Sequence, residues 1–185
     1  MNIYITGGCK NGKSTLAMNV ARSISGGRPM YYVATMNPSD DEDVDRIRRH
    51  RLEREGLGFV TLEIYTCIQQ CLDKVACESV LLIDSITALL ANEMFGSGFA
   101  DSSACMRVTE GLERVLGRAG DIVMVSDYIY SNAELFNVYT DMYMSGLAAI
   151  DRRMAHLCDA VIEMCNGSAT LHKGMITSII QEGMA

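Results

Sequence analysis

A glycine-rich loop that ends in a lysine and a serine occupies residues 7–14. Gly7, Gly12, Lys13 and Ser14 satisfy the phosphate-loop pattern G-x-x-x-x-G-K-[ST]. Glycine lets the backbone curl so that its N–H groups, with the N-terminus of the next helix, point at phosphate oxygens. The pattern predicts that Lys13 lies on a surface loop and contacts the β- and γ-phosphates of a nucleotide, and that Ser14 ligates Mg²⁺.

The segments that flank the loop support this interpretation. Ile3 and Ile5 predict a buried strand before it. A stripe with helical spacing predicts an amphipathic helix after it, formed by Leu16, Ala17, Val20, Ala21 and Ile24. An ordinary glycine turn between a strand and a helix is the alternative. The nucleotide is predicted to contact the whole loop, which consists of Gly7, Gly8, Cys9, Lys10, Asn11, Gly12, Lys13 and Ser14.

A second candidate site residue stands at the end of an apolar run. Residues 79–83 predict a buried strand, and Asp84 follows directly. The second phosphate-loop motif requires an apolar strand that ends in aspartate, and ligands of open α/β sheets bind at the carboxyl ends of strands. Asp84 is predicted to bind Mg²⁺ or its water, with a helix cap as the alternative. Glu63 also ends an apolar run, so Glu63 and Asp84 are predicted to lie near one another on neighbouring strands, facing the loop.

A charged helix is predicted from residue 39 onward. Ser39 is the expected N-cap, with Glu42 as its capping-box partner. His50 shares a helix face with Arg46 and Arg54, because residues four apart lie on the same side of a helix. The helix carries five arginines, Arg46, Arg48, Arg49, Arg51 and Arg54.

Two hypotheses explain this helix. In the first, the helix is solvated and its acidic start and basic end merely complement the helix dipole. In the second, the arginines neutralise a polyphosphate and His50 attacks phosphorus, since nearby positive charge keeps an imidazole nitrogen neutral and nucleophilic. The charge pattern alone leaves both hypotheses open.

The remaining chain alternates strands and helices, which predicts one α/β domain over residues 1–185 with a mostly parallel sheet and helices on both faces. Further strands are predicted at 30–35, 59–64, 121–126 and 160–164, with an edge segment at 167–173. Further helices are predicted at 67–75, 86–95, 102–116 and 132–157.

Composition narrows the function class. The chain has 185 residues, 49% hydrophobic content and a net charge of −7, so no global basic field recruits nucleic acid or an anionic membrane. It has no apolar run of about 18 residues that could span a bilayer. Seven cysteines without paired metal spacing and the lack of a signal peptide predict reduced thiols in the cytoplasm. Cys67 and Cys71 are interpreted as core residues, with a metal pair as the alternative.

These motifs resemble those of the bifunctional adenosylcobinamide kinase/adenosylcobinamide-phosphate guanylyltransferases of cobalamin assembly. The resemblance covers about the first 95 residues. Near residues 126–129 the family usually shows Asn-Glu-Val-Gly, where this chain has Ser-Asp-Tyr-Ile. The matching residues are Thr6, Gly7, Gly8, Gly12, Lys13, Ser14, Tyr32, Ala34, Thr35, Asp40, Asp41, Glu42, Arg46, Ile47, His50, Arg51, Thr61, Glu63, the run 81–87, Asn92 and Phe95.

The resemblance implies a RecA-like parallel sheet, a homotrimer, ATP or GTP with a corrinoid, adenosylcobinamide, as substrates, and Mg²⁺ as cofactor. It implies that His50 becomes covalently guanylylated while Lys13 serves phosphoryl transfer. It also implies nucleotide contacts beyond the loop, at Ala34, Thr35, Met36, Arg51, Leu52, Glu53, Arg54, Glu63 and Asp84. Two other hypotheses stay open: a phosphate-loop kinase for another small alcohol with a structural His50, and a RecA-type nucleotide-dependent switch.

Overall fold

A seven-stranded sheet forms the centre of the structure, a computed structural model that describes residues 1–118, 120–130 and 137–175. Strands β1 to β6 are parallel and β7 pairs antiparallel with β6. The strands are β1 Asn2–Gly7, β2 Met30–Ala34, β3 Phe59–Glu63, β4 Val80–Asp84, β5 Asp121–Asp127, β6 Ala160–Cys165 and β7 Ser168–Lys173. The helices are α1 Lys13–Ser25, α2 Asp41–Arg54, α3 Ile86–Phe95, α4 Ala104–Arg118 and α5 Val138–Leu157, with a 3₁₀ helix at Ile68–Asp73.

The strand order brings the chemically important strand ends to one edge. The order is β3-β2-β4-β5-β1-β6-β7, so β5 separates the loop-bearing β1 from β4. Gly7 is opposite Asp127, and Ala34 is paired with Glu63 on one side and Asp84 on the other. Glu63 and Asp84 therefore share the predicted edge, but the prediction of neighbouring strands is wrong because β2 lies between β3 and β4.

Both faces of the sheet are covered, as the apolar strands require. On one face α1 packs its predicted stripe against β1, where Ile3 and Ile5 are fully buried. On the other face α3, α4, α5 and the 3₁₀ helix form a second core that includes Tyr4. Successive residues of β1 serve opposite faces because side chains alternate along a strand. The predicted α/β fold is confirmed.

Several element boundaries differ from the sequence prediction. The N-cap of α2 is Asp40, whose carboxylate accepts from the Asp43 N–H, and Asp43 in turn accepts from Ser39. Asp40 therefore replaces Ser39 as the N-cap, and Asp43 replaces Glu42 as the acidic partner in the first turn. Asp43 accepts from both the N–H and the hydroxyl of Ser39. Asn137 caps α5 at a residue inside the predicted helix, and residues 132–136 of that prediction lie outside the described residues.

The cysteine region also differs in detail. The helix predicted at 67–75 is a short 3₁₀ helix that begins after Cys67, whose backbone is left-handed with φ 51°. Cys71 is fully buried in the core, in agreement with its interpretation as a core residue. All seven cysteines lie in the described ranges and are free thiols. None of the helices described is long and apolar enough to cross a membrane.

Truncation of a buried leucine tests the second core. Leu112 in α4 is fully buried, whereas Leu52 in α2 is 61% exposed. We predict that Leu112→Ala lowers the free energy of unfolding by about 2–5 kcal/mol, because it removes apolar contacts and leaves a cavity. Leu52→Ala, the matched control, should change it by less than about 0.5 kcal/mol. Urea unfolding measures both, and equal effects would contradict the described packing.

Candidate functional site

The glycine-rich loop connects the end of β1 to the start of α1. Gly12 has φ 83° and directly precedes Lys13, the first residue of α1. A Cβ at Gly7 would lie 2.3 Å from the Met164 carbonyl oxygen on β6, so the strand beside the loop leaves no space for a side chain. Glycine is therefore required at position 7 by packing as well as by its backbone conformation.

Lys13 is held inside the site. Its Nζ lies 2.6 Å from Asp127 Oδ1 and donates to the Gly8 carbonyl oxygen at 2.5 Å. The side chain is only 5% exposed, so the prediction that Lys13 lies exposed on a surface loop is wrong. The end of β5 lies directly beside β1 and brings the Asp127 carboxylate to the lysine.

Asp84 is held by a side chain that the sequence analysis did not assign to the site. Tyr32 donates its hydroxyl to Asp84 Oδ2 at 2.6 Å, across the paired strands β2 and β4. Burial, and next the Asp84 carboxylate, raise the pKa of the Tyr32 phenol well above its usual value. Tyr32 therefore stays protonated and keeps donating to Asp84 Oδ2, while Asp84 Oδ1 has no hydrogen-bond partner in the part of the chain that the structure describes.

Arg54 connects helix α2 to this pair. The Arg54 guanidinium carbon lies 3.7 Å from the centroid of the Tyr32 ring, a cation–π contact. Arg54 is 7% exposed, and its buried Nε has no protein partner among the described residues. One end of α2 is thus anchored over the Tyr32–Asp84 hydrogen bond.

Helix α2 turns the His50 face toward the loop. His50 lines a cleft of about 420 Å³, the phosphate-loop cleft, together with Lys13, Ser14, Asp84 and Asp127. His50 Nδ1 lies 3.3 Å from Glu53 Oε2, and the imidazole is partly exposed. The cleft is large enough for part of a nucleotide, within the usual size range of small-molecule sites. Other predicted residues that line it are Lys10, Asn11, Gly12 and Glu53.

A second, narrower cavity adjoins the cleft and shares Ser14, His50 and Asp84 with it. Arg51 forms an ion pair with Glu63, which also accepts from the Tyr65 hydroxyl at 3.0 Å. The cavity is therefore polar on the α2–β3 side. Predicted residues that line it are Ala34, Met36, Arg51, Arg54 and Glu63.

Some predicted contact residues lie outside both spaces. Thr35 is buried and exchanges hydrogen bonds with the Ser85 backbone, and Leu52 faces away from the cleft on the outer side of α2. Gly7, Gly8 and Cys9 shape the loop without lining either space.

Tyr32 and Asp127 are the site residues that sequence reasoning missed. Asp127 carries the same signal as Asp84, an aspartate that ends an apolar strand. Tyr32 carries a weaker signal. It places a phenol in a strand that is predicted to be buried, and a buried phenol hydroxyl needs a hydrogen-bond partner.

Ser14 and Asp84 fit a magnesium site. Both line the cleft and the adjoining cavity, and of the two Asp84 carboxylate oxygens only Oδ2 has a side-chain hydrogen-bond partner among the described residues, Tyr32. Mg²⁺ usually takes only one or two protein oxygens and completes its shell with waters and substrate phosphates. The described residues contain no group of three or more His, Cys, Asp or Glu side chains that could hold a metal ion.

The loop on β1, Asp84 on β4 and the intervening β5 define a RecA-like phosphate-loop protein. A family profile, CobU, described as cobinamide kinase / cobinamide phosphate guanyltransferase, matches residues 3–171. The chain belongs to this family, whose members are transferases of cobalamin biosynthesis. The match extends well past residue 95 and includes β5, α5 and β6, which the sequence resemblance did not cover.

Among the solved structures similar to this chain, one with a TM-score above 0.5 supports the fold alone, because its sequence identity is low. A protein from Pyrococcus horikoshii OT3 is 10% identical with a TM-score of 0.52, covering 96% of this chain and 88% of that chain. The flagellar accessory protein FlaH from Methanocaldococcus jannaschii is 14% identical with a TM-score of 0.48, covering 94% of this chain and 78% of that chain. No curated protein matches the sequence.

Removal of one hydroxyl tests the Tyr32–Asp84 contact. We predict that Tyr32→Phe lowers the free energy of unfolding by about 1–3 kcal/mol, because a hydrogen bond to a charged, partly buried group is lost. The ring that Arg54 covers remains. Tyr31→Phe is the matched control on the same strand and should cost less than about 0.5 kcal/mol. Urea unfolding compares the two, and equal losses would show that the Asp84 contact does not stabilise the fold.

Proposed function

We propose that the protein phosphorylates adenosylcobinamide with ATP or GTP and then transfers GMP from GTP to the resulting phosphate. Membership of the kinase and guanylyltransferase family supports the reaction class. The observation that carries the proposal is the convergence of Lys13, Ser14, Asp84 and His50 on one cleft. A solvated helix would not need to turn His50 toward the loop.

In the kinase step the loop residues stabilise charge on the transferred phosphoryl group. The loop N–H groups and the start of α1 bind phosphate oxygens, and Lys13 contacts the terminal phosphates once it leaves Asp127. Ser14 and Asp84 would hold Mg²⁺, which when bound would supply positive charge to offset that of the nucleotide phosphates. Tyr32 keeps the Asp84 carboxylate oriented throughout.

In the guanylyl step His50 attacks the α-phosphorus of GTP. A proton on Nδ1, facing Glu53, leaves the Nε2 lone pair free to form the nitrogen–phosphorus bond. The bond from the α-phosphorus to the bridging oxygen breaks, and pyrophosphate leaves with its electrons. A phosphate oxygen of cobinamide phosphate then attacks the same phosphorus and releases His50. Arg46 and Arg49 also line the cleft and offset the phosphate charge.

Loss of the loop lysine tests phosphoryl transfer. We predict that Lys13→Ala reduces phosphorylation of the alcohol by about a hundredfold or more, because the developing phosphate charge loses its main side-chain donor. Lys74→Ala is the control, since Lys74 is an exposed lysine that lines neither the cleft nor the adjoining cavity and has no ion pair in the described part of the chain. Acceptor-dependent nucleotide consumption measures both, and thermal unfolding checks that each variant is folded. Unchanged turnover in Lys13→Ala would remove the loop from the mechanism.

Covalent labelling tests the role of His50. GTP labelled on its α-phosphate should leave label on the protein that survives alkali and is lost in acid, as expected of a histidine–phosphorus bond. We predict that His50→Ala loses this label and the guanylyl transfer while phosphorylation of the alcohol persists. His156→Ala, at an exposed histidine of α5, should keep the label.

The outcomes of this labelling separate the alternatives. Label that remains in His50→Ala, or wild type that binds GTP tightly without labelling but still phosphorylates an alcohol, favours a simple kinase. Tight nucleotide binding without acceptor-dependent turnover favours a nucleotide-dependent switch.

A further inference from the structure

Asp127 is a carboxylate in the cleft that the reaction described so far uses only as a partner of Lys13. It ends β5, the strand between the loop strand and the Asp84 strand. Its Oδ1 lies 2.6 Å from Lys13 Nζ, and its side chain is 18% exposed. Its backbone N–H donates to Thr87 Oγ1 at 2.8 Å, which ties the strand end to α3. The carboxylate is therefore fixed at the edge of the sheet.

Nucleotide binding changes the partner of Lys13. The ammonium has three donors, and Gly8 and Asp127 already take two of them in a site with little solvent. Terminal phosphates carry more negative charge than one carboxylate, so they draw Lys13 away from Asp127. Asp127 is then left unpaired beside the position of the transferred phosphoryl group.

We propose that Asp127 is the general base of the phosphoryl-transfer step, an inference that rests on the proposed kinase function. The acceptor hydroxyl oxygen forms a bond to the terminal phosphorus, and the hydroxyl proton passes to an Asp127 carboxylate oxygen. The bond from that phosphorus to the bridging oxygen breaks, and the nucleoside diphosphate leaves with the electron pair. The Lys13–Asp127 ion pair keeps the base occupied until a nucleotide arrives.

The other carboxylates that line the cleft are less suited to this role. Asp84 accepts from Tyr32 and is assigned to the metal, and Glu53 faces His50. Glu42 belongs to the first turn of α2 rather than to a strand end. Asp127 alone among these carboxylates contacts the phosphate-loop lysine. Residues 126–129 are Ser-Asp-Tyr-Ile, where the family usually shows Asn-Glu-Val-Gly. The role of general base is therefore proposed for Asp127 of this chain and not for the family.

The test is Asp127→Asn, which keeps the shape of the side chain and removes its charge and basicity. We expect kcat for alcohol phosphorylation to fall by about 10²–10⁴-fold, the usual range for loss of a general base. The Kd for ATP, measured by calorimetry, should stay equal or become tighter, because Lys13 no longer has a competing carboxylate. GTP labelling of His50 should persist, because that step deprotonates no alcohol.

Glu113→Gln is the matched control. Glu113 forms an ion pair with Arg153 at the same distance, 2.6 Å, but does not line the cleft. Glu113→Gln should leave kcat and the Kd for ATP unchanged. The comparison therefore separates the effect of losing an ion pair from the effect of losing the proposed general base. If Asp127→Asn fails to unfold cooperatively, Asp127→Ser removes the same carboxylate and is measured in its place.

Each result decides the question. A kcat that stays within about threefold of wild type in the folded variant would overturn the proposal, since a general base contributes far more. A Kd for ATP that weakens in parallel with the loss of kcat would assign Asp127 to the positioning of Lys13 and would also overturn it. Failure of the wild-type protein to phosphorylate the alcohol would instead contradict the proposed function, a result that is seen before any variant is compared.

Discussion

The parallel pairing of β1 between β5 and β6 is the constraint on which the site depends. It places Gly7 against the Met164 carbonyl, where no side chain fits, and sets Asp127 opposite the end of β1. The loop consequently begins beside the end of β5, and Lys13 at the start of α1 forms an ion pair with the Asp127 carboxylate. A change of register by one residue would turn these side chains to the opposite face. The chemistry of the cleft therefore follows from strand pairing.

A second contact fixes the helix that carries His50. Tyr32 is packed edge-on against Phe59, and Arg54 covers the face of its ring. The Tyr32 hydroxyl holds Asp84 at the same time. The candidate metal ligand and the candidate nucleophile are thereby joined through one aromatic side chain. The two proposed transfer steps could share one cleft because α2 is held against the strand ends rather than packed in the core.

Charge is distributed unevenly between the cleft and the rest of the molecule. The chain is acidic overall, with a net charge of −7, whereas the cleft is lined by equal numbers of basic and acidic side chains, Lys10, Lys13, Arg46 and Arg49 against Glu42, Glu53, Asp84 and Asp127. Lys13 pairs with Asp127 and Arg51 with Glu63. A polyphosphate can take these cations by exchange, since its charge exceeds that of each carboxylate. The proposed nucleotide substrates would supply such phosphate charge.

The sequence by itself determined the local elements and part of the site. The phosphate loop, the helix stripe of α1 and the aspartate at the end of β4 are encoded within short stretches, where glycine conformation, apolar spacing and strand length act locally. The tertiary structure alone decided which distant side chains meet. The insertion of β2 between Glu63 and Asp84, the burial of Lys13 on Asp127 and the stacking of Arg54 on Tyr32 depend on strand order and packing between segments far apart in the chain. Pairings of this kind leave no periodic signal in a single sequence, because each partner satisfies its own local pattern whether or not they meet.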